Sequence, residues 1–191
     1  MTIGVYMSLD NFSRLWHLVI EAPETWDIIA HEESKPNNLR SRYMWSLVTI
    51  CAIVGFTVSW LRFDLQHAMA IALRDSVVLV AGYFAACWLC RWVIERLFPD
   101  RFNLEDSDKT VTYCYAYIII LQTFITIIPH SYFLYLLDVF VAYLLWEAAR
   151  AVFALEEDER QSMVVYFTLI IVVVPIILHA LITLVVLKNI F

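Results

Sequence analysis

The sequence predicts an all-α polytopic membrane protein, with five transmembrane helices preceded by an N-terminal amphipathic helix pair at the membrane interface. Three observations predict it. Between Tyr43 and Phe191 lie five strongly apolar stretches, and ionisable side chains are almost confined to the gaps between them. Of the 191 residues, 62% are apolar or aromatic and 17% charged, where a soluble domain has roughly one-half and one-quarter. The three glycines, Gly4, Gly55 and Gly82, are scattered singly, which leaves neither a Gly-rich phosphate loop nor a GxxxG pairing motif. Five spans leave no room for a separate soluble domain, so residues 1–191 read as one membrane-embedded unit.

A helix needs ~20 apolar residues to cross ~30 Å of hydrocarbon. Its backbone groups must all be paired internally. The spans are read as Met44–Leu61, Ser76–Ile94, Val111–Ile128, Tyr132–Ala149 and Met163–Leu187. Pro129-His130-Ser131 makes a tight hairpin between the third and fourth, and Pro175 removes one backbone donor from the fifth. Met1–Met7 lacks the charge and the apolar core of a signal peptide. The stretch from Tyr43 is therefore expected to start insertion.

Basic residues set the orientation. With the N-terminus inside, the inner segments hold Arg14, Lys35, Arg40, Arg42, Arg91, Arg96, Arg101, Lys109, Arg150 and Arg160, leaving only Arg62, Arg74 and Lys188 outside. The expectation is N-terminus cytoplasmic and C-terminus outside. Trp45, Trp60, Trp88, Trp92 and Trp146 sit near span ends and suit interfacial anchoring.

Residues 8–34 form the amphipathic arm. Ser8 or Asp10 can cap a helix reaching about Ile20, in which Phe12, Leu15, Trp16, Val19 and Ile20 make one apolar stripe. Pro23 interrupts it, and a second helix would set Trp26, Ile29 and Ala30 against Asp27, His31 and Glu32. Such a pair lies on the inner membrane surface or caps the bundle. The acidic segments Glu21–Glu33 and Glu156–Glu159 carry much of the formal net charge of −6 and argue against a nucleic-acid partner.

Catalytic and metal motifs are missing. Cys87-x2-Cys90 has no second pair and no nearby His, so Cys51, Cys87, Cys90 and Cys114 read as buried core thiols. His31-Glu32-Glu33-Ser34-Lys35 lacks the second His of a zinc protease, and no GxSxG elbow occurs. Asp138 has no second aspartate at its depth for intramembrane proteolysis. No enzyme, no cofactor and no metal site is expected.

Ionisable groups within spans are costly and usually face the bundle interior, so they are the functional candidates. By rise per residue, Gln122, Asp138 and His179 all fall roughly 9–12 Å below the outer surface, on three different helices. They are the candidate intramembrane polar site: Asp138 to hold a proton or cation, His179 to exchange one, Gln122 to orient either. The competing expectation is a structural hydrogen-bonded cluster. At the inner face, Glu147 and Arg150 stand at i, i+3 and Arg91 reaches similar depth, so the three are expected to form a latch.

The pre-membrane segment Pro23-Glu24-Thr25-Trp26-Asp27-Ile28-Ile29-Ala30-His31-Glu32, the aromatic Tyr113-Cys114-Tyr115-Ala116-Tyr117, the Tyr143-Leu144-Leu145-Trp146 region and the proline-interrupted fifth span resemble the Yip (Ypt/Rab-interacting) family, including its short bacterial members. The resemblance covers about residues 12–187. Ser41-Arg42-Tyr43-Met44-Trp45 stands where eukaryotic members carry Asp-Leu-Tyr-Gly-Pro, so their Rab-binding role is not implied. What the resemblance implies is a multi-pass protein of the bacterial inner membrane. It would act as a non-enzymatic organiser through the lipid bilayer, other membrane proteins or self-association. The alternative is a small transporter or permease built on the polar site.

Overall fold

The computed structural model describes residues 13–31, 43–99, 101–128 and 132–190, and among them no strand occurs. The elements are α1 (13–20), α2 (Ala22–Ala30), α3 (Trp45–Trp60), α4 (Leu65–Leu97), α5 (Leu104–Ile127), a 3₁₀ segment (Tyr132–Val139), α6 (Phe140–Ala151) and α7 (Glu157–Ile190). The hairpin Pro129–Ser131, with His130, lies outside the described residues, as do both ends of the arm, 8–12 and 32–34.

The long helices begin earlier than hydropathy suggests. α4 starts at Leu65 rather than Ser76, because Asp64 caps it: its side chain accepts from the backbone N–H of His67 at 3.2 Å. α5 starts at Leu104 rather than Val111. Asn103 caps the Glu105 N–H at 3.0 Å, and Glu105 and Asp106 face the positive end of the helix dipole. Glu157, Asp158 and Glu159 open α7 in the same way, and the helix runs on through Pro175. Charge ends an apolar stretch but not a helix. At about 1.5 Å per residue the 33 residues of α4 measure about 50 Å, more than the ~30 Å hydrocarbon core.

Among the described residues, three helices are long and apolar enough to cross a membrane: Leu65–Leu97, Leu104–Ile127 and Glu157–Leu184. The other two expected spans differ in form. α3 is a shorter apolar helix of 16 residues. The stretch expected as one α-helix from Tyr132 to Ala149 is an 8-residue 3₁₀ segment followed by the 12-residue α6. Such a long 3₁₀ run is uncommon. Near its end the Leu137 carbonyl accepts from the Tyr117 hydroxyl at 3.0 Å, so a side chain of α5 holds the chain where the winding changes.

α5 is the central helix. Every residue from Ser107 to Ala116 is buried, so this helix is enclosed on all sides at its N-terminal half. α4 crosses it through a stripe of small residues, Gly82, Ala86 and Cys90, that lets the backbones approach. All four cysteines are buried and unpaired with one another.

The arm packs against the bundle. In α1 the inward residues are Leu15 and Leu18, while Trp16 and Ile20 of the expected stripe are 65% and 60% exposed. The apolar face is therefore rotated from the one periodicity suggested, and α2 continues it with Ala22, Trp26 and Ile29. Trp26 meets Tyr113 edge-on at 5.9 Å between ring centroids, and Tyr43 lies 5.2 Å from the same ring. Asp27 and His31 remain exposed. Trp45, Trp60, Trp88 and Trp92 are exposed on the outside of the bundle.

Candidate functional site

Two of the three expected polar residues come together, with a different acid. Gln122 of α5 and His179 of α7 line one cavity of about 230 Å³ with Asp75 of α4. Its apolar walls are Val78, Leu79, Ile118 and Ile176, and Pro175 closes one side. Asp75 and Gln122 also line a much smaller pocket towards Cys51, Gly55 and Thr126, so they stand in the wall between the two.

Asp75 is the hub. Its Oδ1 accepts from Arg74 Nε at 2.9 Å and lies 2.8 Å from Arg74 Nη2. His179 Nε2 approaches the same oxygen at 4.0 Å from across the cavity. Arg74 and Asp75 are both about three-quarters covered, whereas His179 is half exposed. The arginine cancels the carboxylate, so the group is neutral with neutral histidine and positive when His179 is protonated. A bare cation would have to compete with Arg74 for the only carboxylate. Gln122 adds both an amide donor and an acceptor.

Asp138 does not join them. It lies half-buried in the 3₁₀ segment, next to Leu137, whose carbonyl is held by Tyr117. Depth brought Asp138 level with Gln122, but depth says nothing of direction around a helix. Tyr117 and Gln122 are five residues apart, which is roughly 140° of rotation in an α-helix. Asp138 thus belongs to another flank of α5. Asp75 carried a legible signal: with Leu79, Gly82, Ala86 and Cys90 it sits at i, i+4, i+7, i+11 and i+15, extending the buried stripe of α4 outward by one turn.

The latch also has different members. Glu147 Oε2 accepts from Arg150 Nε at 2.9 Å, as the i, i+3 spacing suggests. Arg91 is not part of it. It makes a two-pronged contact with Asp108 of α5: Nε donates to Oδ1 at 2.6 Å and Nη2 donates to Oδ2. Asp108 is fully buried and one turn before Thr112, whose hydroxyl bonds to the Asp108 carbonyl at 2.6 Å and to Tyr83 at 2.8 Å. Buried charge needs such a partner, and Asp108 lies nearer to α4 than Glu147 does. Arg150 instead reaches the arm, with Nη2 3.2 Å from Asp27 Oδ1 and 3.3 Å from the Pro23 carbonyl. Lys109, also buried, donates to the Ile29 carbonyl at 3.4 Å. Asp108 and Lys109 both precede the apolar stretch that begins at Val111, so hydropathy gave no sign of either contact.

At the same end, Arg101 Nη1 donates to Glu159 at 2.6 Å, and the Arg160 guanidinium stacks 5.0 Å from the Trp146 ring. Among the described residues no group of three or more His, Cys, Asp or Glu side chains is arranged to hold a metal ion. In comparisons with known proteins, no family model, curated protein or solved structure matched the chain significantly.

Proposed function

We propose that the chain is a five-span integral membrane protein of the Yip type, a non-enzymatic organiser that works through contacts with lipid or other membrane proteins. The observation that carries this reading is the outer face of α7. Its most apolar window is only 11% buried within the chain, against 50% and 56% for α4 and α5. Ile176, Ile177, Leu181 and Leu184 are all more than half exposed. So large an apolar face needs lipid or a neighbouring apolar surface. Arg91, Arg101, Arg150 and Arg160 gather at one end of the helices, which supports a cytoplasmic N-terminus.

A second reading has one observation in its favour, the cavity that joins Asp75, Gln122 and His179. It is a small proton-linked permease, in which His179 and Asp75 exchange the proton.

One pair of experiments separates the two. In native membranes, cysteines introduced at Ile176 and Leu181 are crosslinked with short bifunctional reagents. In proteoliposomes, proton flux is followed with a pH dye for the natural chain and Asp75→Asn. The organiser reading expects crosslinked species through α7 and no flux. Flux that disappears with Asp75→Asn, together with an uncrosslinked monomer, would replace it by the permease.

A further inference from the structure

A mostly apolar cavity lies on the other flank of α5, away from Asp75. It measures about 510 Å³ and is bounded by three walls: α1, the second half of α5, and the junction of the 3₁₀ segment with α6. Leu15, Leu18 and Leu121 form its floor and are almost fully buried. Trp16, Phe124 and Leu137 form its rim and are 65%, 53% and 45% exposed, so the groove is open along that rim. The polar atoms of the lining side chains are the Tyr117 hydroxyl, which already donates to the Leu137 carbonyl, and the indole N–H of Trp16 on the exposed rim.

These features select the occupant. Water needs two to four polar partners, and this lining offers at most one indole N–H and the lone pairs of a hydroxyl already engaged. An extended peptide would leave its own N–H and C=O groups unpaired there. A helix of useful length does not fit inside it, since two turns of a cylinder about 10 Å across need roughly 850 Å³, against about 510 Å³ here. A hydrocarbon chain needs no hydrogen bonds and can enter over that rim from the bilayer. α5 is one of the helices long and apolar enough to span, and the lining residues Tyr117, Ile120, Leu121 and Phe124 lie in its apolar C-terminal half, 13 to 20 residues from its start at Leu104. We propose that this groove seats a lipid acyl chain, held between the arm and the bundle. The inference rests on the membrane-embedded reading above. It makes α1 a lid over a bound lipid and gives the arm a role beyond anchoring.

The test uses the full chain in nanodiscs of phosphatidylethanolamine and phosphatidylglycerol, doped with a phospholipid carrying a diazirine midway along one acyl chain. After illumination, adducts are mapped by peptide mass spectrometry. The expected result is a yield on Ile120–Phe124 and the Leu137–Phe140 segment several-fold above that on Ile176–Leu184 of α7. Val19→Trp, which fills the groove from α1, should lower groove labelling several-fold and leave α7 unchanged. Ile120→Trp does the same from the opposite wall and covers the case in which Val19→Trp dislodges α1. Equal labelling of groove and α7 would mean annular lipid only and overturn the proposal. Labelled α7 beside an unlabelled groove would mean that protein fills it, and overturn it equally. No labelling anywhere would instead refute the membrane reading on which it rests.

Discussion

A Cβ built on Gly82 of α4 falls on the phenolic oxygen of Tyr115 of α5, with Pro175 Cγ of α7 3.5 Å away. Three helices meet at this point. The Tyr115 side chain is fully buried, and its hydroxyl has no hydrogen-bond partner among the described residues. Gly82→Ala is therefore expected to destabilise the bundle by about 1–3 kcal/mol, the usual cost of overpacking. Tyr115→Phe removes the clashing oxygen and an unsatisfied group, and should by itself be neutral or stabilising. The double variant should recover most of the loss. Unfolding in mixed micelles, run as a double-mutant cycle, checks it, and strictly additive effects would disprove the contact.

Arg91 and Asp108 join α4 to α5 across a buried carboxylate. Arg91→Met removes the two-pronged guanidinium contact from that buried charge and should cost about 3 kcal/mol, the lower end for a buried pair because the guanidinium is 40% exposed. Arg91→Met with Asp108→Leu should restore much of the stability, since an apolar pair can replace a buried ion pair. The same unfolding assay reads both.

Arg150 ties the arm to α6 through Asp27 and the Pro23 carbonyl. Arg150→Ala should loosen α2 by about 1 kcal/mol or less, because the pair is solvent-exposed. The measurement is hydrogen exchange: amides of Ala22–Ala30 should exchange faster while those of α5 stay protected. Unchanged exchange in α2 would show that Trp26 packing alone holds it.

Ala154 adopts a left-handed conformation, φ 47°, in the turn between α6 and α7. An L-residue there is strained by about 1–2 kcal/mol relative to glycine. Ala154→Gly is expected to stabilise the protein by about 1 kcal/mol, less the extra entropy that glycine adds to the unfolded chain. A rise in unfolding midpoint in the same micelles checks the sign.

Asp64, at the exposed start of α4, has its carboxyl held below the usual carboxylate range, first by the hydrogen bond with the His67 side chain and then by the His67 backbone N–H. A depressed acid stabilises only while it is ionised. The cap should be fully present above the ordinary value of 3.8 and be lost as pH falls through the lower folded one. Amide exchange of the first turn of α4 should report this, with Asp64→Ala removing the pH step.

Much of the architecture was legible because it rests on local properties. The apolar stretches became helices, Trp26 and Ile29 turned inward, and the i, i+3 pair Glu147–Arg150 formed. Hydropathy failed at the helix starts, where capping by Asp64 and Asn103 carries the chain through polar residues. It also failed on the fourth stretch, whose 3₁₀ winding is accompanied by a hydrogen bond from Tyr117, a residue distant in sequence.

The sequence by itself determined an all-helical chain with long apolar helices, the burial of its cysteines, and Gln122 and His179 as polar groups at one level. Those follow from composition and from rise along a helix axis. Only the tertiary structure decided that Asp75, not Asp138, faces His179, that Arg91 turns to Asp108, and that Arg150 clasps the arm. The reason is geometric. Rise along each axis is the same for every α-helix, whereas the rotation of each helix about its axis is set by which side chains pack at the crossings, such as Gly82 against Tyr115.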